Sequence, residues 1–148
     1  YMCVGMVRRG DDIFQYYGAL PTTHGIDNTD DTNTSRYIRT IQRLDGFVSA
    51  DAGSGGGEIV TPVIKFRGNR LELNIDCGAM GEAWVEILTP DGLPVSGYSM
   101  DESVSVDRNS VAQEVWWKNG PDVSSLAGKE VRLRIKMRSA KLYAFQFV

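Results

Sequence analysis

The fold of this chain is decided by the stretch EVRLRIKMR, residues Glu130–Arg138. Every odd position from Val131 to Met137 is apolar, and every even position is charged. Successive side chains of a β-strand point to opposite faces, so this pattern predicts a strand with one buried face and one solvated face. Residues 142–148 alternate less regularly and predict a second, adjacent strand.

The same pattern extends upstream through the second half of the chain. Strands are predicted over residues 59–66, 71–76, 82–88, 94–100 and 113–117, with a hairpin turn at 67–70, a tight turn at 89–92, a polar loop over 101–111 and one helical turn over 122–128. Pro62 makes the first of these an edge strand or breaks it in two, because proline lacks the N–H that a sheet requires. Seven or eight short strands in fewer than 100 residues are typical of an antiparallel β-sandwich.

The first half predicts a smaller β-element. Residues 2–7 and 13–17 flank a turn at 9–12 and predict a hairpin, residues 21–35 predict a loop, and residues 36–42 and 47–49 predict further strands. Residues 51–57 contain four glycines, which favour a joint or a broad loop. The domain border is therefore placed there, between residues 1–52 and residues 53–148.

Composition limits the classes of function. The net charge is −3 over 148 residues, which argues against nucleic acid as a partner. The one basic stripe, formed by Arg132, Arg134, Lys136 and Arg138, is interpreted as the solvated side of a strand. No apolar run reaches the roughly 20 residues that span a bilayer, and no membrane partner is predicted. Strand-like sequence starts almost at residue 1, which favours a segment cut from a longer protein.

Few residues carry recognisable chemistry. Cys3 and Cys77 are interpreted as small core hydrophobes, with a disulfide between them as the alternative. His24 is the only histidine and is either an ordinary loop residue or a sugar contact. The acidic loop with Asp27, Asn28, Asp30, Asp31 and Asn33 lacks the ordered spacing of a calcium loop, so neither a metal nor another cofactor is predicted.

Aromatic side chains are the other candidates. Trp84, Trp116, Trp117, Tyr98 and Tyr143 could stack on sugar rings or pack within the sandwich. Trp116 and Trp117 are adjacent in a predicted strand, so they must point to opposite faces, with one of them in the core. Trp84, which lies opposite the face of Ala83, Val85 and Ile87, is exposed or packs against another layer. The predicted carbohydrate-binding residues are Trp84, Trp116 and His24.

Short motifs throughout the chain resemble one family of proteins. They occur at residues 12–19 (DIFQYYGA), 43–49 (RLDGFVS), 57–61 (GEIVT), 70–74 (RLELN), 85–88 (VEIL), 92–99 (GLPVSGYS), 122–129 (DVSSLAGK) and 142–145 (LYAF). Together they resemble the C-terminal β-sandwich and last propeller blade of glycoside hydrolase-like proteins related to invertases, levanases and arabinanases. The resemblance implies a jelly-roll or concanavalin-like sandwich over residues 53–148, a partial blade over residues 1–52, and an extracellular or periplasmic parent.

The same resemblance implies that this chain is not an enzyme. Glycoside hydrolysis needs two carboxylates across the scissile bond, and in such propellers they come from several blades. Only one blade is present here, and no carboxylate of the chain matches a catalytic motif. No catalytic residue is therefore predicted.

Three functions follow from these observations. The first is a non-catalytic accessory module that stabilises or flanks an upstream propeller. The second is a carbohydrate-binding module that holds polysaccharide through exposed aromatic rings. The third is a fragment of a glycosidase that is active only in the full-length protein. A lone blade also leaves open strand edges and an apolar face, which predicts a homodimer or the folding of residues 1–50 onto a sandwich.

Overall fold

A computed structural model describes residues 2–19 and 36–148, and the chain forms two compact units, Tyr1–Gly46 and Phe47–Val148. Every pairing between its strands is antiparallel. The prediction of an all-β protein with antiparallel sheets is therefore confirmed. The predicted loop over residues 21–35 and the side chain of Cys3 lie outside the described residues.

The first unit is a three-stranded sheet in the order β1-β2-β3, formed by Met2–Arg9, Asp12–Ala19 and Arg36–Arg43. The β1–β2 hairpin and the third strand are as predicted. Gly10, in the hairpin turn, has a φ of 61°, a conformation that glycine adopts without steric cost.

The second unit contains two sheets. The strands are β4 (Ala50–Ala52), β5 (Gly57–Val60), β6 (Ile64–Lys65), β7 (Leu71–Asp76), β8 (Glu82–Leu88), β9 (Asn109–Glu114), β10 (Glu130–Arg138) and β11 (Ala140–Phe147). In the first sheet, β10 pairs with β5, β6 and β8. The second sheet has the order β4-β11-β7-β9. The strand predicted over residues 59–66 is broken at Pro62 into β5 and β6, which is one of the two predicted alternatives.

One core lies between these two sheets, an arrangement consistent with a β-sandwich. Strand β10 contributes Val131, Leu133, Ile135 and Met137, which are all buried, while the charged residues between them face outward. Strands β7 and β8 contribute their own alternating apolar residues, and Trp117 and Val115 complete the interior. Cys77 is a free, fully buried thiol in this core, so it forms no disulfide.

The border between the units differs from the prediction. Ala52 pairs with Ala140 and Ala50 with Leu142, so β4 is a strand of the second sheet and belongs with the sandwich. The glycine-rich stretch after it connects β4 to β5, that is, one sheet to the other. The predicted strand over 47–49 is wrong, because a turn at Asp45, whose φ is 55°, delays the strand until Ala50.

Three local predictions in the second unit are also wrong. Residues 67–70 do not form a hairpin, because β6 and β7 lie in different sheets and Asn69 instead donates to the carbonyl of Val148 at 2.7 Å. Residues 94–100 form turns with a single bridge between Leu88 and Pro94. Strand β9 starts within the predicted loop over 101–111 and ends at Glu114. In each case a contact with another segment of the chain, and not the local composition, decides the structure.

Candidate functional site

The described residues contain no group of three or more His, Cys, Asp or Glu side chains arranged to hold a metal ion. His24 and the acidic residues 27–33 lie outside the described residues, so the predictions made for them stay predictions. The candidate sites within residues 2–19 and 36–148 are therefore surfaces, and the aromatic residues of the sandwich distinguish them.

The adjacent tryptophans point to opposite sides, as predicted. Trp117 is 1% exposed, and its Nε1 donates to the carbonyl oxygen of Val85 at 2.9 Å. The ring of Tyr98 meets it edge-on, with centroids 5.2 Å apart. Trp116 is 47% exposed and lies beside the outer face of the β4-β11-β7-β9 sheet. Only Trp116 of this pair is available to a ligand.

The Trp116 ring is held in place by polar neighbours. Its Nε1 donates to Oε2 of Glu114 at 2.8 Å, and Oε1 of Glu114 lies 3.5 Å from Nη1 of Arg70. Glu114 pairs across the sheet with Glu72, and Glu72 pairs in turn with Gln146. Nε2 of Gln146 donates to Oε2 of Glu72 at 2.9 Å. We call these five residues, Arg70, Glu72, Glu114, Trp116 and Gln146, the Trp116 strip.

Trp84 lies on the other sheet. It is half-buried on the outward side of β8, directly opposite Lys136 on β10. Its surroundings are ion pairs, Arg134 with Glu86 at 3.0 Å and Arg138 with Glu82. Trp84 and Trp116 therefore lie on opposite outer faces of the sandwich, and the structure does not bring them into one site.

These ion pairs account for the basic stripe of β10. Glu86 is buried, and it accepts bonds from Arg134 and, at 3.1 Å, from the backbone N–H of Met100. Arg132 donates to the carbonyl oxygens of Pro90 and Thr61. The interpretation of the stripe as the solvated side of a strand agrees with the burial pattern of β10, in which the charged residues are half-buried or exposed between buried apolar ones. Its three arginines also donate to neighbouring acceptors.

A shallow cleft of about 290 Å³ lies at one end of the β4-β11-β7 strands. Lys141 on β11 pairs in register with Asp51 on β4 and with Asp76 on β7. Its Nζ lies 2.7 Å from Oδ2 of Asp51, which lowers the pKa of Asp51 and raises that of Lys141. Each of the two carboxylates is engaged, since Asp76 also accepts from the N–H of Gly78 at 2.9 Å. The row of Asp51, Lys141 and Asp76 across the three strands thus fastens the short strand β4 to the sheet.

Glu102 organises the irregular segment beside β8. Its Oε2 accepts from the hydroxyl of Ser99 at 2.7 Å, from the N–H of Ser99 at 3.1 Å and from the N–H of Gly97 at 3.0 Å. The hydroxyl bond is the main cause of a lowered Glu102 pKa, and the two backbone bonds lower it further. The folded chain thus favours the ionised carboxylate.

This lowered pKa predicts a loss of stability in acid. The bonds contribute fully above the ordinary value of 4.5, and their contribution is lost as the pH falls through the lowered pKa of the folded state. We expect Glu102→Gln to weaken the acid dependence of the urea midpoint between pH 7 and about 3. Asp101→Asn, the neighbouring acid, is the control and should retain the wild-type profile. An unchanged slope in Glu102→Gln would contradict this assignment.

The Trp116 strip contains residues that sequence reasoning missed. Alternation in β7 places Glu72 outward, but nothing in the sequence indicates that Glu114 and Gln146 flank it. That arrangement depends on the register of β9 and β11 against β7, including the bulges in both pairings. Of the five residues, only Trp116 is indicated as a binding residue by the sequence.

Within the described residues, no helix is long and apolar enough to cross a membrane. Comparison with known proteins adds no further identification: no protein-family model, curated protein or solved structure matches this chain.

Proposed function

We propose that this chain is a non-catalytic accessory module of a glycoside hydrolase-like protein. In this proposal the second unit is a sandwich of jelly-roll or concanavalin-like type that flanks a propeller, and the first unit is a partial blade of that propeller. The observation that carries the proposal is an apolar face on the β1-β2-β3 sheet that the described residues leave largely exposed. A soluble protein rarely keeps such a face without something that covers it.

The face is built by cross-strand register. Val7, Phe14 and Ile41 form one row across the three strands, and Tyr16 and Tyr37 lie on the same side. Val7 is 56% exposed and Ile41 55% exposed, so both ends of the row are open to solvent. Phe14 between them is half-buried, with the guanidinium of Arg39 lying 4.8 Å from its ring centroid. Three strands also leave β1 and β3 as edges. Both features suit a sheet that stacks between neighbouring sheets, which is how propeller blades bury their faces.

The association of the isolated chain tests this proposal. Because the uncovered row attracts apolar surface, we expect the purified chain to self-associate and Ile41→Lys to shift it towards monomer in light scattering. Ile38→Lys is a matched control: Ile38 lies on the same strand, is 48% exposed, and faces the opposite side. We expect it to leave the association unchanged. Equal association of the two variants, or a strictly monomeric wild-type chain, would overturn the role of this face.

A second candidate function, carbohydrate binding, is favoured by the fixed and exposed ring of Trp116. Aromatic rings that keep one orientation lose little entropy when a ligand stacks on them. Trp84 and His24 remain predicted contacts in this function. The general test is a titration of the chain with a panel of polysaccharides while tryptophan fluorescence is recorded, and no change with any of them would remove this candidate.

A further inference from the structure

We infer that the Trp116 strip is a binding site for an uncharged polysaccharide, with one sugar ring stacked on Trp116 and its neighbours bonded to the polar side chains. This inference rests on carbohydrate binding, the second candidate function, and names both its site and its ligand class. It assigns no role to Trp84 or to His24.

The first argument is the state of the Trp116 ring. Trp116 is 47% exposed, so about half of the ring surface stays in contact with water and burial explains only part of its position. Its indole N–H is nevertheless fixed on Glu114, and Glu114 is paired with Arg70. The ring is therefore held beside the sheet with apolar surface open to solvent. Such a surface suits the C–H groups on one face of a sugar ring.

The second argument is an electrostatic cost within the strip. Glu72 and Glu114 are direct cross-strand partners, and like charges in this arrangement are destabilising. The N–H of Val115 donates to the carbonyl of Leu71, so Glu72 and Glu114 form a pair that is not joined by its own backbone hydrogen bonds. In antiparallel sheets the side chains of such a pair lie closer together than those of a hydrogen-bonded pair. Arg70 offsets one of the two negative charges. A sheet surface has no structural need for this juxtaposition.

The third argument is the hydrogen-bonding chemistry that the strip offers. Carboxylates accept bonds from sugar hydroxyls, and charge-assisted bonds of this kind are stronger than neutral ones. The amide of Gln146 and the guanidinium of Arg70 add donors at either side of Glu72. The strip spans β9, β7 and β11, a width of about 10 Å, which accommodates a chain of about two sugar units.

The charge of the strip selects among polysaccharides. Two carboxylates face one guanidinium, so a uronate or sulfate group at this surface meets net repulsion. Neutral chains meet none. The predicted ligand class is therefore neutral glucans, xylans, mannans or fructans, while alginate, polygalacturonate and sulfated galactans are excluded.

Affinity electrophoresis in native gels, with calorimetry on any retarding polysaccharide, tests the site. We expect neutral polysaccharide to retard the wild-type chain and Trp116→Ala to lower the association constant at least about tenfold, as the loss of a central aromatic contact does. Glu72→Gln should weaken neutral binding only a few-fold and reduce the discrimination against alginate. Phe47→Ala removes another exposed aromatic ring of the second unit and is the matched control, which should bind as the wild type does. Trp84→Ala tests the other predicted tryptophan contact, and unfolding midpoints verify that each variant is folded.

Each result has one meaning. Binding that is lost in Trp116→Ala and retained in Trp84→Ala supports the site. Binding that survives in Trp116→Ala but is lost in Trp84→Ala overturns the site and leaves carbohydrate binding intact. Equal binding of neutral and acidic polysaccharides overturns the selectivity. No binding by the wild-type chain removes carbohydrate binding altogether, while leaving the accessory-module proposal to the association experiment.

Discussion

Trp117→Ala is expected to destabilise the sandwich by about 3–5 kcal/mol, the range found when a large buried aromatic ring is truncated. The ring is 1% exposed and lies in the core between the two sheets. Its loss removes the edge-on contact with Tyr98 and leaves the carbonyl of Val85 without the donor it has at 2.9 Å. Urea unfolding followed by circular dichroism measures the effect.

The neighbouring tryptophan provides the control for this experiment. Trp116→Ala removes the same side chain one residue earlier, but from a half-exposed position with one hydrogen bond to Glu114, so we expect a smaller loss of about 1–2 kcal/mol. Trp117→Phe keeps one six-membered aromatic ring but removes the five-membered ring together with its donor, so we expect an intermediate cost of about 1–3 kcal/mol. Similar losses in the two alanine variants would show that the assignment of inner and outer tryptophan is wrong.

Gly81→Ala is expected to cost about 3 kcal/mol or more, at the upper end of what overpacking costs. A Cβ at this position would lie 2.0 Å from the carbonyl oxygen of Cys77 and 2.2 Å from that of Ser139. Both obstacles are backbone atoms, which cannot move away by changing a rotamer. The N–H of Gly81 also bonds the Cys77 carbonyl at 2.7 Å, so any shift strains the turn that connects β7 to β8.

Gly55→Ala is the matched control, because a Cβ at Gly55 would have no neighbour within 4 Å and no positive φ is recorded there. We expect it to be neutral or slightly stabilising, since alanine restricts the unfolded chain more than glycine does. Thermal unfolding of both variants measures the difference. Equal melting temperatures would mean that Gly81 does not approach the backbone of Cys77 and Ser139 as closely as the structure shows.

How far the sequence predicts the fold depends on which interactions decide each element. The alternation in Glu130–Arg138 predicts its strand and its buried face correctly, because burial on one side is a local property of the pattern. The hairpin of β1 and β2 is also predicted from a local property, the residues of its turn. Pro62 likewise predicts the break between β5 and β6 from its own covalent structure.

Pairing between distant strands was not predictable in this way. The run at residues 94–100 has strand-like composition, yet it forms turns beside β8, where the N–H of Val95 donates to the carbonyl of Ile87 at 2.9 Å and the N–H of Ile87 donates to the carbonyl of Tyr98 at 2.9 Å. The glycine-rich stretch suggests a domain border, but β4 before it is already fastened to β11. The Trp116 strip is a similar case, since its five residues lie in or next to three strands whose register is a property of the whole sheet.

The order of the strands has a consequence for how the protein is made. β10 occupies the middle of one sheet and β11 an inner position of the other, and both come from the last 19 residues of the sequence shown. A nascent chain that has emerged from the ribosome only as far as residue 129 can pair β7 with β9, but β5, β6 and β8 still lack β10, the strand with which they pair, and β4 lacks β11. Until residues 130–148 emerge, these strands expose apolar side chains and backbone N–H and C=O groups without hydrogen-bond partners. During synthesis the second unit therefore depends on residues 130–148, and on protection from aggregation until they have emerged.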